Sequence, residues 1–72
     1  MLKRSLTIAG HRTSIALESE FWDGLEALAA ERGEPLAATI RFIDESRDEP
    51  NLSSAVRVAV LRWYKQKAAA VS

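Results

Sequence analysis

Residues 51–64, NLSSAVRVAVLRWY, set the strongest constraint on how this chain of 72 residues can fold. From Ala55 to Tyr64 only Arg57 and Arg62 are polar, so the helix that this pattern predicts is apolar around nearly its whole circumference. Such a helix must be covered on several sides. Because the chain is so short, the sequence predicts that a second copy of the molecule supplies part of that cover.

Local signals place the helix ends. The last helix is predicted over about 52–68, with Asn51 as the preferred N-cap and Ser53 as the second choice, because short polar side chains accept hydrogen bonds from the first helical turn. Two further helices are predicted over about 19–32 and 36–46 from the spacing of their apolar residues. Gly33 supplies the left-handed residue that commonly ends a helix.

Residues 5–17 alternate in the manner of one β-strand, with a bend or bulge at Gly10. One face of its second half would carry His11, Thr13, Ile15 and Leu17, and the outward face would carry Arg12, Ser14 and Ala16. A register slip of one residue would expose Ile15 and Leu17, which disfavours it. A single strand needs a partner for its backbone groups, and the same strand of a second chain would supply one.

The sequence therefore predicts one domain over residues 1–72, mainly α with one N-terminal β-strand. It further predicts an intertwined homodimer whose two strands form an intermolecular antiparallel sheet. The expected dimer core consists of Ile15, Leu17, Val56, Ala59, Val60 and Trp63.

Charge is balanced overall but unevenly distributed. Residues 1–17 hold three Lys or Arg and no acid, residues 18–49 hold all ten acids against three arginines, and residues 50–72 hold four Lys or Arg and no acid. Bringing both basic ends onto one face would create a positive surface on a neutral molecule. Composition alone fits ordinary solvated charge equally well.

Several classes of function find no support in the sequence. There is no cysteine and a single histidine, so no metal site, cofactor or catalytic residue is predicted. His11 is interpreted as a strand-end or packing residue. No apolar stretch is long enough for a membrane span, and the N-terminus lacks a signal-peptide pattern. A cytoplasmic location is expected.

The order of these segments resembles the ribbon-helix-helix family, the Arc/MetJ type. The similar stretches are RTSIALE at 12–18, EFW at 20–22, Gly33 and NLSSAVR at 51–57, and the resemblance covers about residues 4–66. Residues 34–50 depart from the simplest members, and the helix over 36–46 is interpreted as an insertion. If that helix is instead the family's second helix, the phosphate contacts given below move to residues 36–38.

The resemblance implies a homodimeric repressor that binds double-stranded DNA with its β-ribbon in the major groove. The expected base-reading residues are Arg12, Ser14 and Ala16. The expected phosphate contacts are Lys3, Arg4, Asn51, Leu52, Ser53 and Ser54. Further association of dimers on DNA is left open.

Two other interpretations stay open. The outward residues of the strand could be no more than an exposed edge protected by a charge. The protein could also be a dimeric interaction module, or an antitoxin-like partner protein, that binds DNA weakly or not at all. It would then engage a protein partner through the acidic residues 34–49.

Overall fold

The computed structural model describes residues 1–48 and 50–71, so Glu49 of the acidic segment and Ser72 of the predicted domain lie outside the described residues. Within the described part, two strands precede three helices: β1 (Leu2–Ile8), β2 (His11–Leu17), α1 (Ser19–Arg32), α2 (Leu36–Ser46) and α3 (Leu52–Val71). The mainly α class with a two-stranded antiparallel sheet at the N-terminus is confirmed. No helix in the described ranges offers an apolar run sufficient to traverse a bilayer.

The sheet is a hairpin within one chain, and the prediction of a single strand over residues 5–17 is wrong. β1 and β2 pair antiparallel, from Leu2 opposite Leu17 to Ile8 opposite His11. Ala9 and Gly10 have φ of 52° and 82°. Positive φ at both central residues is typical of a type I′ turn, whose twist matches that of the strands it joins. The chain thus reverses at Gly10 rather than bending, and β2 finds its backbone partner in β1.

The helices begin and end close to the predicted residues. The end of α1 is fixed by Gly33, which has φ 67° and ψ 33° and whose N–H donates to the carbonyls of Ala29 and Ala30. The start of α3 is fixed by Asn51, whose Oδ1 accepts the Ser54 N–H at 3.2 Å. α3 continues to Val71, beyond the predicted end at residue 68. Caps read from single residues therefore predict these ends well.

The core lies between one side of the hairpin and the three helices. α2 packs against β1, while α3 packs against β2, α1 and α2. The buried apolar side chains are Ile8, Ile15, Leu17, Trp22, Leu25, Ala29, Ile40, Ile43, Ala55, Val56 and Val60. Every element of the chain therefore contributes to one core.

This core changes the interpretation of α3. Four residues predicted for the dimer core, Ile15, Leu17, Val56 and Val60, are at most 2 % exposed within their own chain. The other two, Ala59 and Trp63, are half-buried. The argument that α3 must be covered by a second copy is wrong, because β2, α1 and α2 already cover its sides.

α1 and α3 cross closely at Gly24. A Cβ added to this glycine would lie 2.6 Å from Val60 Cγ1 and 3.0 Å from Tyr64 Cε2. Both distances are too short for real contacts, so the crossing requires a residue without a side chain. The close approach of α1 and α3 is thus encoded at one position in the middle of α1.

Candidate nucleic-acid interface

The hairpin turns one side toward solvent. This side, called here the outer face, consists of three cross-strand pairs: Lys3 with Ala16, Ser5 with Ser14, and Thr7 with Arg12. All of these side chains are exposed except Ala16, which is half-buried. The helices pack on the opposite, inner side, so the outer face is free to meet a large partner.

The outer face follows from alternation along both strands. Successive side chains of a strand point to opposite sides, so burial of Ile15 and Leu17 against the helices sends Ser14 and Ala16 outward. The same rule applied to β1 buries Ile8 and sends Thr7 outward. The structure thus places the three predicted base-reading residues on one side, in the predicted register, and adds a second row from β1.

Hydroxyl and cationic groups dominate this face. The Ser5 and Ser14 hydroxyl oxygens lie 3.3 Å apart. Arg12 Nη1 donates to Thr7 Oγ1 at 3.4 Å. Lys3 and Arg12 stand at opposite ends of the face, and neither strand contains an acidic residue. The face therefore combines positive charge with hydrogen-bond donors and acceptors, and no carboxylate on the strands opposes an anionic ligand.

Arg4 does not reach the outer face. Its Nη1 donates to Glu26 Oε1 at 2.9 Å, and its guanidinium lies 4.5 Å from the centre of the Trp22 ring. Trp22 Nε1 in turn donates to the Leu2 carbonyl at 2.8 Å. Arg4 thus helps to hold β1 on α1, on the side opposite Lys3, with which it was grouped as a phosphate contact.

The start of α3 lies near the open end of the hairpin. Arg57, in the second turn of α3, donates from Nε to Glu18 Oε1 at 2.9 Å. Its Nη2 lies 4.0 Å from Met1 Sδ. This hydrogen bond from Arg57 lowers the pKa of the Glu18 carboxyl below its usual range. The pair joins the junction of β2 and α1 to α3 and so fixes where the first turn of α3 stands relative to the hairpin.

Within that first turn, the predicted phosphate-contact residues have distinct roles. The Asn51 side chain is the cap and occupies the Ser54 N–H. The N–H groups of Leu52 and Ser53 also belong to the first turn, where the helical pattern provides no carbonyl partner. Leu52 packs its side chain against the core. The end of α3 therefore offers two backbone donors beside the positive pole of the helix dipole.

Sequence reasoning missed the role of Ser5 and Thr7, and it assigned Lys3 only to phosphate. The signal was present: polar residues at 3, 5 and 7 alternate with Leu6 and Ile8. Arg4 interrupted the apolar half of that alternation. Among the described residues, no cluster of His, Cys, Asp or Glu suitable for a metal ion was found.

A family model described as a ribbon-helix-helix domain matches residues 1–64, which include the hairpin, α1, α2 and most of α3. The chain belongs to the ribbon-helix-helix family. Ribbon-helix-helix proteins are generally DNA-binding transcription regulators, they typically form homodimers, and they are typically not enzymes. No curated protein and no solved structure matches the chain significantly.

Proposed function

We propose that this ribbon-helix-helix protein is a homodimeric transcriptional repressor that binds specific sequences of double-stranded DNA. The observation that carries the proposal is the outer face, an exposed two-stranded surface with a cation at each end and hydroxyls between them. A two-stranded ribbon fits the major groove, where each base pair presents its own pattern of donors, acceptors and methyl groups.

Each predicted base-reading residue has a chemistry suited to a base edge. Arg12 can donate two hydrogen bonds to guanine O6 and N7, Ser14 can donate or accept, and Ala16 can contact a thymine methyl group. Among the three, Arg12 supplies most of the discrimination, about 1–3 kcal/mol for a bidentate contact. Occupancy of an operator by the dimer would block access of the transcription machinery to the promoter.

The first turn of α3 is proposed to hold a phosphate. The N–H groups of Leu52 and Ser53 and the helix dipole favour an anion there. Such contacts fix the position of the protein on DNA without selecting a sequence. A Ser53→Asp substitution places a negative charge where it favours the helix but repels a phosphate. We expect it to weaken binding to all sequences alike while leaving the thermal midpoint unchanged or raised.

The dimer proposal now rests on family membership and on the apolar residues of α3 that the chain leaves uncovered. Leu61 is 55 % exposed and Tyr64 49 %. With the half-buried Val58 they follow one another at spacings of three residues, which places them along one side of α3. A Leu61→Asp variant should sediment as a single chain while the wild type sediments as two. A wild type that remains a single chain at micromolar concentration would contradict the proposed dimer.

The decisive experiment for DNA binding is selection of bound sequences from a random duplex pool, followed by a salt titration. We expect symmetric enriched sites and an affinity that falls steeply as salt rises, because bound cations release counterions from DNA. Arg12→Ala should abolish the enrichment. Arg41→Ala removes the same charge from α2, where Arg41 pairs with Glu45, and should retain it. Lack of any enrichment by the wild type would overturn the proposal.

One observation favours the interaction module as a second candidate. A groove between α2 and α3 is lined by apolar side chains, including Ile43, Val58 and Ala59, and Phe42 at its edge is half-exposed. α2 belongs to the acidic segment that was predicted to engage a protein. If the selection experiment yields no enriched sequence and no salt-sensitive binding, this groove becomes the surface to test by Phe42→Ala in binding assays with partner proteins.

A further inference from the structure

The hairpin gives each chain a complete ribbon of its own. A groove-binding ribbon needs two antiparallel strands, and β1 and β2 provide both from one molecule. Lys3, Ser5 and Thr7 of β1 lie on the same side as the base-reading residues of β2 and are all exposed. Whatever contacts Arg12 and Ser14 through the outer face therefore also meets β1.

The width of the hairpin agrees with the width of the major groove. Paired strands lie about 4.8 Å apart, and the groove is about 12 Å wide. Both strands of one hairpin thus fit side by side within it. On the basis of the function proposed above, we propose that the hairpin of a single protomer is the ribbon that enters the groove. Lys3, Ser5 and Thr7 then contact the DNA together with Arg12, Ser14 and Ala16.

β1 is fixed well enough to act as a reading strand. Two neighbours of Lys3 in the chain are held on α1: the Leu2 carbonyl by Trp22, and Arg4 by Glu26 and the Trp22 ring. Binding surfaces held in place by such surrounding contacts lose less entropy when they bind. Lys3 is therefore presented from an anchored backbone rather than from a loose terminus.

The three cross-strand pairs assign different roles to β1. Thr7 accepts a hydrogen bond from Arg12 and so orients the guanidinium, while its methyl group can contact a thymine. Ser5 doubles the hydroxyl of Ser14. Lys3 stands beside the small Ala16, which leaves room for it to reach a guanine. Four residues of β1 separate Lys3 from Thr7, roughly 13 Å of strand. Lys3 and Arg12 should therefore prefer guanines about four base pairs apart.

The first test compares selected sequences for matched variants. Lys3→Ala should lose the preference for one of the two guanines, with affinity for the best site falling about 5- to 150-fold. Lys65→Ala removes the same charge from α3 and should change no base preference. Thr7→Val should blur the guanine preference of Arg12, whereas Thr13→Val, an equal change on the inner side, should not. Circular dichroism checks that each variant is folded.

The outcomes separate this inference from the proposed function. If Lys3→Ala and Thr7→Val select the same sequences as the wild type while Arg12→Ala does not, β1 takes no part in recognition and the inference fails alone. If the wild type selects no sequence, the inference fails together with the proposed function. A selected site with guanines about four base pairs apart, one lost with Lys3 and one with Arg12, supports both.

A second test asks whether the ribbon is formed within one chain. The chain has no cysteine, and Ser5 and Ser14 face each other across the strands, so the double variant Ser5→Cys, Ser14→Cys can form a disulfide. We expect the oxidised protein to run as a single chain on a non-reducing gel and to bind DNA as well as its reduced form. Covalent dimers, or loss of binding only on oxidation, would show that strands are exchanged between chains and would overturn the inference.

Discussion

The two sides of the hairpin use one backbone for opposite purposes. On the inner side, Ile15 and Leu17 are at most 1 % exposed and pack against the helices. On the outer side, the neighbouring Ser14 has the Ser5 hydroxyl as its contact across the strands. Side chains that stabilise the domain and side chains proposed to recognise DNA therefore alternate along β2, and substitutions at adjacent positions should separate the two properties.

The largest expected effect is the loss of an inner side chain. Ile15→Ala should lower the free energy of unfolding by about 2–5 kcal/mol, because it leaves a cavity in the core. Ser14→Ala, one residue away, should change it by less than about 0.5 kcal/mol. Urea unfolding measures both. Equal losses for the two variants would show that the outer face is also part of the stabilising structure.

The next effect concerns the helices that support the inner side. Gly24→Ala should destabilise by about 1–2 kcal/mol, because overpacking against Val60 costs about 1–3 kcal/mol and better helix propensity returns about 1 kcal/mol. Ala27→Gly on the exposed side of α1 measures the propensity contribution by itself. A Gly24→Ala protein more stable than the wild type would mean that α1 and α3 can move apart without loss.

A smaller, opposite effect is expected at the turn that keeps the two sides in register. Ala9 adopts φ 52°, which a residue with a Cβ does at a cost on the order of 1 kcal/mol. Asn tolerates this conformation, and Asn-Gly is a preferred type I′ sequence. Ala9→Asn should therefore raise the thermal midpoint, and Ala9→Val should lower it. If Asn destabilises the protein, the hairpin in solution has a different turn.

The smallest effect is electrostatic, at the open end of the hairpin. The folded-state pKa of Glu18 is lowered by Arg57, so its contribution to stability is present above the unfolded value of about 4.5 and is lost as pH falls through the lowered pKa. Glu18→Gln should be less stable than the wild type at neutral pH, and the difference should disappear in acid. Glu20→Gln, whose carboxylate contacts Ser19, is the control. Unfolding curves at several pH values test the sign.

The parts of the fold that the sequence predicted well depend on local chemistry. Gly33 and Asn51 each mark a helix end through their own backbone or side chain, so neighbouring residues suffice to place it. The outward register of Arg12, Ser14 and Ala16 followed from the apolar character of Ile15 and Leu17. Such signals need no knowledge of what lies far away in the chain.

The parts that were wrong depend on long-range packing or on an unusual residue. Ala9 is not a residue expected at positive φ, which hid the turn and with it β1. The apolar surface of α3 was ascribed to a second copy, because the sequence does not show how α1, α2 and β2 share its sides. Arg4 was grouped with Lys3 as a DNA contact, since only the packed structure reveals Glu26 and Trp22 beside it.

The cross-strand pairs of the outer face have a consequence for how such proteins diversify. Ser5 and Ser14 contact each other, and Thr7 contacts Arg12, without a hydrogen bond to any helix. Mutations at these positions leave the hydrophobic core intact. A gene duplicate could therefore acquire a new target sequence through a few codon changes near its start, without passing through an unfolded ancestor.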